Sequence, residues 1–255
     1  MALLEVKGLT KDFGGLTAVD NLDFDINGGE IVGLIGPNGA GKTTVFNLIS
    51  GFSHPTSGTI IFKGHKISHS KPHVIAALGL VRTFQEITLF KKQTVIENVV
   101  MGHYLQRRRS LLASVLGIRP ARIEEEEIRQ RAREVLERTG LARFENALAG
   151  SLPFGHQRAL GVAIGLSVNP FLMLLDEPVT GMNAEEAETM MDLIRDVCDQ
   201  GITILLVEHH MKAALGLCSR VIVLNFGKKI AEDVPQRIVE NKDVIETYLG
   251  TEEIE

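Results

Sequence analysis

The fold of this chain is decided by one stretch, Gly36-Pro37-Asn38-Gly39-Ala40-Gly41-Lys42-Thr43, which matches the pattern of a glycine, four residues and Gly-Lys-Ser/Thr. The glycines allow a tight turn, so backbone N–H groups can point inward at phosphate oxygens. Lys42 can reach the β- and γ-phosphates of a nucleotide, the hydroxyl of Thr43 can ligate Mg²⁺, and a helix beginning there adds its positive end. Gly36–Thr44 is therefore predicted to bind a nucleotide triphosphate, and the alternative is a plain glycine-rich turn.

Short apolar runs surround this loop and alternate with helical patterns. Predicted buried strands are Ile31–Ile35, Phe171–Leu175, Thr203–Val207 and Arg220–Leu224, and predicted helices are Thr44–Ile49, Ala184–Asp199, His210–Leu217 and Pro235–Leu249. Strands that alternate with helices indicate a mostly parallel sheet covered on both faces.

The remaining segments suggest two additions to this core. Alternating residues in Leu4–Lys7 and Leu22–Ile26 favour antiparallel strands with one wet face, and Thr59–Phe62 resembles another strand. Residues 87–167 are rich in Arg and Glu and mostly helical in pattern. We predict an α/β fold with a phosphate-loop NTPase core, an N-terminal antiparallel β subdomain and an inserted helical subdomain. Residues 1–255 then form one domain, with the core in 1–86 and 168–255.

A pair of acidic residues follows one of the predicted buried strands. Asp176 and Glu177 end the run that begins at Phe171. Ligands of open α/β sheets bind at the carboxyl ends of strands, so these side chains are expected near the phosphates. Asp176 can hold Mg²⁺, through water, and Glu177 can act as a general base on the attacking water. The alternative is an acidic helix cap before Pro178.

Composition excludes several classes of protein. The net charge of -5 argues against nucleic acid as the main partner, because phosphate backbones need a basic surface. No apolar run approaches the ~18 residues that span a bilayer, and Glu5 interrupts the N-terminal apolar stretch, so we predict neither a membrane span nor a signal peptide. Cys198 and Cys218 lack metal-ligand spacing and are predicted to be reduced thiols of a cytosolic protein.

From Leu3 to Leu249 the order of these features resembles the ABC ATPase family. The resemblance implies an adenine contact by Phe13 with Ala18 as pocket wall, a Mg²⁺ or water contact by Gln85, a γ-phosphate contact by the switch residue His209, and a dimer-interface loop in Thr180-Gly181-Met182-Asn183. Taken singly, Phe13 would more often be a core residue, and His209 with His210 a surface pair. The implied ligands are ATP and Mg²⁺, the latter held by Thr43, Gln85 and Asp176.

The signature of that family, Leu-Ser-Gly-Gly-Gln, is matched only in part. The chain reads Leu152-Pro153-Phe154-Gly155-His156-Gln157-Arg158, so Leu152 and Gly155 match. Proline replaces the serine whose hydroxyl would bond the γ-phosphate of the opposing subunit, and Pro153 offers no N–H either. The resemblance assigns Leu152, Gly155, His156 and Gln157 to the partner's nucleotide. We expect the site that this signature completes to be the weaker of two.

Further segments resemble one branch of the family, the larger of the paired ATPases of branched-chain amino acid importers. They are Gly79–Gln85, Leu89–Phe90, Thr94–Val99, Val207–His209 and Val244–Gly250. The resemblance implies a head-to-tail pair with a second ABC ATPase, membrane permease subunits, an extracytoplasmic solute-binding protein as an indirect partner, and a position at the cytoplasmic side of the membrane. The cargo that it implies is branched-chain amino acids or related small amides and acids, since the branch also serves urea, amides and aromatic acids.

Two rival functions stay open from the sequence. A soluble ABC ATPase that drives assembly or repair would share the nucleotide site and differ only on its outer surface. A phosphate-loop GTPase would need a base-reading motif of the Asn-Lys-x-Asp type, which the sequence lacks. A kinase would not explain Gly155, Asn183 and His209 in this order.

Overall fold

The computed structural model describes residues 2–83, 89–103, 119–208 and 211–249. Its strands are β1 (Leu4–Phe13), β2 (Leu16–Ile26), β3 (Ile31–Ile35), β4 (Ser57–Phe62), β5 (His65–Lys66), β6 (Leu80–Thr83), β7 (Leu172–Asp176), β8 (Thr203–Val207), β9 (Arg220–Asn225) and β10 (Lys228–Asp233). Its α-helices are α1 (Lys42–Ile49), α2 (Pro72–Ala77), α3 (Val95–His103), α4 (Arg119–Arg138), α5 (Phe154–Leu166), α6 (Ala184–Asp199), α7 (Met211–Leu217), α8 (Pro235–Ile238) and α9 (Lys242–Leu249). Two 3-10 turns lie at Ala142–Phe144 and Ala149–Ser151.

The strands form two sheets. The first sheet is antiparallel and has the order β2-β1-β4-β5. The second has the order β10-β9-β3-β8-β7-β6. In the second sheet β3 pairs in parallel with both β8 and β9, and β7 pairs in parallel with β8. Every residue of β3, β7 and β8 is buried, as expected for strands covered on both faces. The predicted α/β class is confirmed.

The contacts divide the described chain into two compact units. The first contains residues Met1–Arg82, Phe171–Thr180 and Ile194–Glu255, and the second contains Thr83–Pro170 and Gly181–Leu193. The second unit therefore includes the start of α6 as well as the helical insertion that we placed at residues 87–167.

The first unit has a continuous apolar core. It joins residues of the antiparallel sheet, such as Leu4 and Phe62, with Phe46 of α1 and with Leu34 and Leu174 of the larger sheet, all less than 1% exposed. Burial of large apolar side chains of this kind is the main stabilising contribution to a fold. The core thus fixes the position of α1, the helix that follows the phosphate loop.

In the second unit, α3 packs against α4 and α5. The start of α3 is held by a reciprocal cap: Glu97 Oε2 accepts from the Thr94 N–H (2.7 Å), and Thr94 Oγ1 accepts from the Glu97 N–H (3.3 Å). The buried Asn98 side chain fixes the preceding loop, because it accepts from the Phe90 N–H (2.9 Å) and donates to the Phe90 carbonyl (3.2 Å).

One helix was predicted wrongly. The C-terminal segment Pro235–Leu249 is not a single helix, because α8 ends at Ile238 and α9 begins at Lys242. The side chain of Asn241 accepts from the N–H groups of Asp243 (2.9 Å) and Val244 (3.3 Å), which caps a new helix start. Within the described residues, no helix has both the length and the apolarity needed to cross a membrane.

Candidate functional site

The phosphate loop connects β3 to α1 and is pressed against two other strands. Gly36 has φ 155, and a Cβ added there would lie 2.2 Å from the carbonyl oxygen of Leu224 in β9. Gly41 has φ 101, and its added Cβ would lie 2.5 Å from the carbonyl oxygen of Ala18 in β2. Backbone atoms cannot move aside as a flexible side chain can, so both positions require glycine. The packing around the loop, as well as its sequence, sets its shape.

Lys42 lies inside this loop and is only 8% exposed. Its Nζ donates hydrogen bonds to the carbonyl oxygens of Gly36 and Pro37, the latter at 3.0 Å. The first turn of α1 contains no acidic residue, and its N-cap Gly41 has no side chain to cover the N–H groups that lack intrahelical acceptors. A lysine ammonium beside the first-turn amides of a helix is the arrangement that binds phosphate.

Other residues predicted to bind nucleotide lie on or beside this loop. They are Asn38, Gly39, Ala40, the exposed Thr43 and the half-buried Thr44. Ala18, also half-buried, has its carbonyl against Gly41. The Phe13 side chain is 52% exposed, and the Nζ of Lys11 lies 4.9 Å from its ring centroid. Phe13 is therefore not a core residue, and its ring offers a face for stacking on an adenine base.

Asp176 reaches the same edge of the sheet as the phosphate loop. The strand register aligns Leu34 of β3 with Val207 of β8, and Val207 with Asp176 of β7. Neighbouring strands lie about 4.8 Å apart, so the Asp176 backbone is about 10 Å from that of β3 just before the loop begins. Asp176 is 8% exposed, and its Oδ2 accepts a hydrogen bond from Arg82 NH2 at 2.8 Å.

Glu177 follows Asp176 with an unusual backbone conformation. Its φ of 48 is in the left-handed region, which costs a residue with a side chain about 1–2 kcal/mol. The Glu177 N–H donates to the carbonyl of Val207 (2.9 Å), and Thr180 Oγ1 donates to Glu177 Oε2 (3.3 Å). Strained backbone that its surroundings hold in place is concentrated at functional sites, which fits a role for Glu177 in the reaction.

The partial signature lies in the second unit, at the start of α5. Pro153 is the exposed N-cap residue, with φ -53 and ψ 155, and it provides no side-chain cap. Leu152 is 5% exposed and its carbonyl accepts from Gln157 Nε2 (2.8 Å). The His156 ring packs edge-on against Phe144, with ring centroids 4.8 Å apart. Leu152, His156 and Gln157 thus hold the turn in place, while Gly155 adds no side chain there.

The predicted interface loop forms a helix start in the same unit. Asn183 Oδ1 accepts from the Glu186 N–H (2.9 Å), and Glu186 Oε2 accepts from the Asn183 N–H (3.2 Å), so the two residues form a reciprocal cap for α6. Gly181, with φ 81, is exposed, and a Cβ there would lie 3.5 Å from the Phe154 ring. Asn183 therefore has a structural role in addition to any role at an interface.

Gln85 and His209 lie outside the described residues. We predicted no role for Arg82 or Glu208, which the structure brings to the site. Glu208 directly follows β8, is 1% exposed, and its Oε1 accepts from the Val179 N–H (3.3 Å). For Glu208 a signal was available in the sequence, because a charged residue directly follows a predicted buried strand near the edge where Asp176 lies.

Burial, together with the Glu208 carboxylate, raises the pKa of the Cys218 thiol to about 12. Cys218 therefore stays protonated at neutral pH and does not act as a nucleophile or a metal ligand.

A cavity of about 630 Å³ borders the outer side of the phosphate loop. Pro37–Ala40 line one side, and Asp243 and Glu246 of α9 line the other. The two acidic residues in its lining disfavour a triphosphate in this cavity.

A buried parallel sheet, a glycine loop around a lysine and an acid pair near the same sheet edge define a phosphate-loop nucleotide hydrolase. Residues 19–180 match the family model described as ABC transporter, and residues 228–254 match the model described as branched-chain amino acid ATP-binding cassette transporter. The chain belongs to the ABC transporter family and is an ATP-binding cassette ATPase, which confirms the resemblance seen in the sequence.

Relatives and solved structures agree over nearly the full length. The chain is 42% identical, over 97% of its length and 98% of the relative's, to the high-affinity branched-chain amino acid transport ATP-binding protein LivG of Escherichia coli K12. It resembles the ADP conformation of the ATP-binding cassette MJ1267 with a TM-score of 0.86 and 30% identity, covering 98% of this chain and 99% of that one. It also resembles a dimeric post-hydrolysis cassette, MJ0796 bound to ADP and Pi, with a TM-score of 0.75 and 26% identity over 91% and 98% of the chains.

Proposed function

We propose that this chain hydrolyses ATP to drive an importer of branched-chain amino acids. The match of residues 228–254 to a family model restricted to branched-chain amino acid transporters carries this proposal. The match of residues 19–180 applies to ABC transporters in general and does not distinguish their cargoes. LivG, which is named for the same cargo, aligns over nearly the whole chain, so transport is favoured over an assembly or repair function.

In this proposal the triphosphate of ATP lies along the phosphate loop. Backbone N–H groups of residues 38–44 and the Lys42 ammonium bind the phosphate oxygens, and α1 directs its positive end at them. The adenine stacks on Phe13 and contacts Ala18. Because Lys42 already lies inside the loop, the phosphates meet a cation whose position is set before binding, which limits the reorganisation that the reaction requires.

The oxygen atoms that could ligate a metal near the loop fit Mg²⁺. Mg²⁺ binds through one or two carboxylates together with substrate phosphates and waters, and it prefers oxygen ligands. Thr43 supplies an exposed hydroxyl in the first turn of α1, and Asp176 supplies a carboxylate that uses only Oδ2 in its bond to Arg82. Gln85 would complete the set. When bound, the cation neutralises charge on the phosphate oxygens that it contacts.

Glu177 is proposed to act as the general base. Its carboxylate is half-buried and accepts from Thr180, so it is held in position while it takes a proton from the attacking water. His209 would contact the γ-phosphate. Orientation and charge stabilisation supply most of the rate enhancement in phosphoryl transfer, so the exact placement of Glu177 matters more than its basicity alone.

The partners are proposed from the same family membership. A cassette of this fold, MJ0796, forms a dimer with ADP and Pi, so a second cassette is the expected partner here. The signature residues 152–157 and the loop at Gly181 and Asn183 would then complete the partner's site. Membrane permease subunits would hold the chain at the cytoplasmic side of the membrane, and a solute-binding protein would deliver the cargo.

Glu177→Gln tests the catalytic assignment. The substitution keeps the size of the side chain and removes its basicity, so we expect ATP hydrolysis to fall at least about a hundredfold. ATP binding should be retained, and the closed pair should accumulate in size-exclusion chromatography with ATP. Glu240→Gln, a substitution of an exposed acid, is the matched control and should behave as wild type. Hydrolysis near the wild-type rate in Glu177→Gln would remove Glu177 from the reaction.

The cargo is tested with the assembled transporter. The complete complex, purified with its membrane subunits and reconstituted with its binding protein, should take up labelled leucine, isoleucine and valine only with ATP. A complex that carries Glu177→Gln should take up none. ATP-dependent uptake of some other solute, with none of these three, would show that the cargo proposal is wrong while leaving the ATPase function intact.

A further inference from the structure

Arg82 forms a buried ion pair with the proposed metal-binding carboxylate. Its NH2 lies 2.8 Å from Asp176 Oδ2, and the two side chains are only 6% and 10% exposed. The other carboxylate oxygen, Oδ1, makes no hydrogen bond within the described residues. Arg82 therefore holds Asp176 by one oxygen and leaves the second for another ligand.

The same guanidinium is anchored to the helix that begins at the phosphate loop. Arg82 NH1 donates to Asn47 Oδ1 (2.7 Å), and its central carbon lies 5.5 Å from the Phe46 ring centroid. Asn47 and Phe46 both lie in α1, the helix that starts at Lys42. Arg82 thus links the helix that carries Thr43 to the strand that ends in Asp176.

We propose that Arg82 is a positioning residue: it sets the Asp176 carboxylate relative to α1, so that Asp176 and Thr43 can share one Mg²⁺ when nucleotide is bound. This inference rests on the Mg²⁺ site of the proposed function. The planar guanidinium serves it because two N–H groups in fixed geometry reach Asp176 and Asn47 at once. A lysine retains the charge but offers only a single nitrogen on a flexible chain.

A purely electrostatic role for Arg82 predicts a different result. A positive charge near the site attracts metal-free ATP, which carries more negative charge than MgATP, at least as strongly. Loss of positioning, in contrast, weakens only the interaction that involves the metal. Residues that orient metal ligands typically change metal affinity by about 10- to 100-fold when replaced. The two roles are therefore separated by comparing nucleotide binding with and without Mg²⁺.

The decisive variant is Arg82→Lys, which retains the charge. The full chain is titrated with a fluorescent, non-hydrolysable ATP analogue, first in EDTA and then at increasing Mg²⁺. We expect the half-saturating Mg²⁺ concentration to rise about tenfold, while affinity in EDTA stays within about twofold of wild type. An unchanged Mg²⁺ requirement, or an equal loss with and without Mg²⁺, would overturn the inference.

Arg220→Lys is the matched control. Like Arg82, Arg220 is an ion-paired arginine of the first unit; its partners are Glu30 (2.7 Å) and Glu232. It lies at the start of β9, in register with Val32, and so near the start of β3 and away from the phosphate loop that follows the end of β3. This control should leave the Mg²⁺ requirement unchanged, even if its melting temperature falls as much as that of Arg82→Lys. An equal rise in both variants would show general destabilisation and contradict a role specific to Arg82.

A second variant keeps the test decisive if Arg82→Lys folds poorly. Asn47→Ala leaves Arg82 in place and removes its acceptor on α1, so we expect a smaller, roughly threefold rise in the Mg²⁺ requirement. No rise would contradict the proposed link. Asp176→Asn calibrates the measurement. If wild type itself shows no Mg²⁺ effect, the proposed metal site is wrong; if wild type responds and neither Arg82→Lys nor Asn47→Ala differs from it, only the role of Arg82 is wrong.

Discussion

The phosphate loop and the start of the signature helix both present glycines beside a helix N-terminus, but they are packed in different ways. In the loop, Cβ atoms at Gly36 and Gly41 would collide with backbone carbonyls at 2.2 and 2.5 Å. At the signature, the atoms nearest to a Cβ on Gly155 would belong to the Glu186 side chain, with Oε1 at 3.2 Å, and not to backbone. Pro153, which precedes it, is exposed.

This difference separates two sources of constraint. The loop is shaped at Gly36 and Gly41 by the interior of its own unit, so these two residues cannot change without disturbing the neighbouring strands. At the signature start, Pro153 is exposed and the nearest neighbours of Gly155 are side-chain atoms, so these two positions are less constrained by their own unit than Gly36 and Gly41. The departure at Pro153 falls in the second region, as this argument predicts. The glycine and proline substitutions below each test one side of the contrast.

The largest effect is expected for Gly41→Ala. The added methyl would collide with the Ala18 carbonyl and must displace backbone, so we expect nucleotide affinity to fall at least about a hundredfold, which corresponds to about 2.7 kcal/mol. Isothermal titration calorimetry with an ATP analogue measures this change.

Gly39→Ala is the control for Gly41→Ala, because φ is also positive (81) but no atom lies within 4 Å of the added Cβ. It carries only backbone strain of about 1–2 kcal/mol and should weaken binding less. Equal losses in the two variants would show that packing against β2 does not shape the loop.

An intermediate effect is expected for Pro153→Ser at the signature. The serine hydroxyl can cap α5, which stabilises the helix by about 1 kcal/mol, and it can bond a phosphate of the partner's nucleotide. Hydrolysis at the site that this signature completes should rise several-fold, while ATP binding by the isolated chain should not change. The rate is measured in a pair whose other site carries the glutamine substitution of its catalytic glutamate.

Pro153→Ala separates the two contributions of the serine, because it removes the proline without adding a hydroxyl. It should leave the hydrolysis rate close to wild type. If wild type already hydrolyses equally at both sites of the assembled pair, the expected weakness caused by Pro153 does not exist.

The smallest effect is expected at Cys218, which should contribute nothing to the pH dependence of folding near neutrality. An unfolded thiol has a pKa of about 8.5, whereas burial raises the pKa of Cys218 to about 12 in the folded chain. Between these values the unfolded state releases a proton that the folded state retains, so stability falls as pH rises. The free energy of unfolding, measured with urea from pH 8 to 11, should decline more steeply with pH for wild type than for Cys218→Ala. Parallel slopes would contradict this assignment.

Much of the first unit could be predicted from sequence, because local pattern and final environment agree there. The apolar run Ile31–Ile35 forms a strand buried on both faces, and the loop that follows it is bounded by α1 as expected. The helix Ala184–Asp199 also has the predicted bounds, since its Asn183 cap and its apolar periodicity are both local signals.

Other features were not predictable, because they depend on competition between local signals or on contacts between distant residues. The helix predicted at Pro235–Leu249 is interrupted because the Asn241 side chain caps a new helix start. Such a hydrogen bond from a side chain to the backbone competes with continuation of the helix. The role of Arg82 depends on Asp176 and Asn47, which are remote in sequence and become its neighbours only when β6, β7 and α1 assemble. A single arginine in a strand gives no sign of such partners.

The turn between β9 and β10 completes the phosphate loop from a distance. The N–H of Gly227 donates to the Ala40 carbonyl (3.0 Å), and the N–H of Asp20 donates to the Gly227 carbonyl (2.9 Å). A ribosome must therefore synthesise the chain through Gly227 before the phosphate loop gains this support. Contacts between such remote segments form slowly, so nascent chains that lack this turn should capture ATP poorly. Nucleotide capture would then report on synthesis past Gly227 as well as on the integrity of the motif.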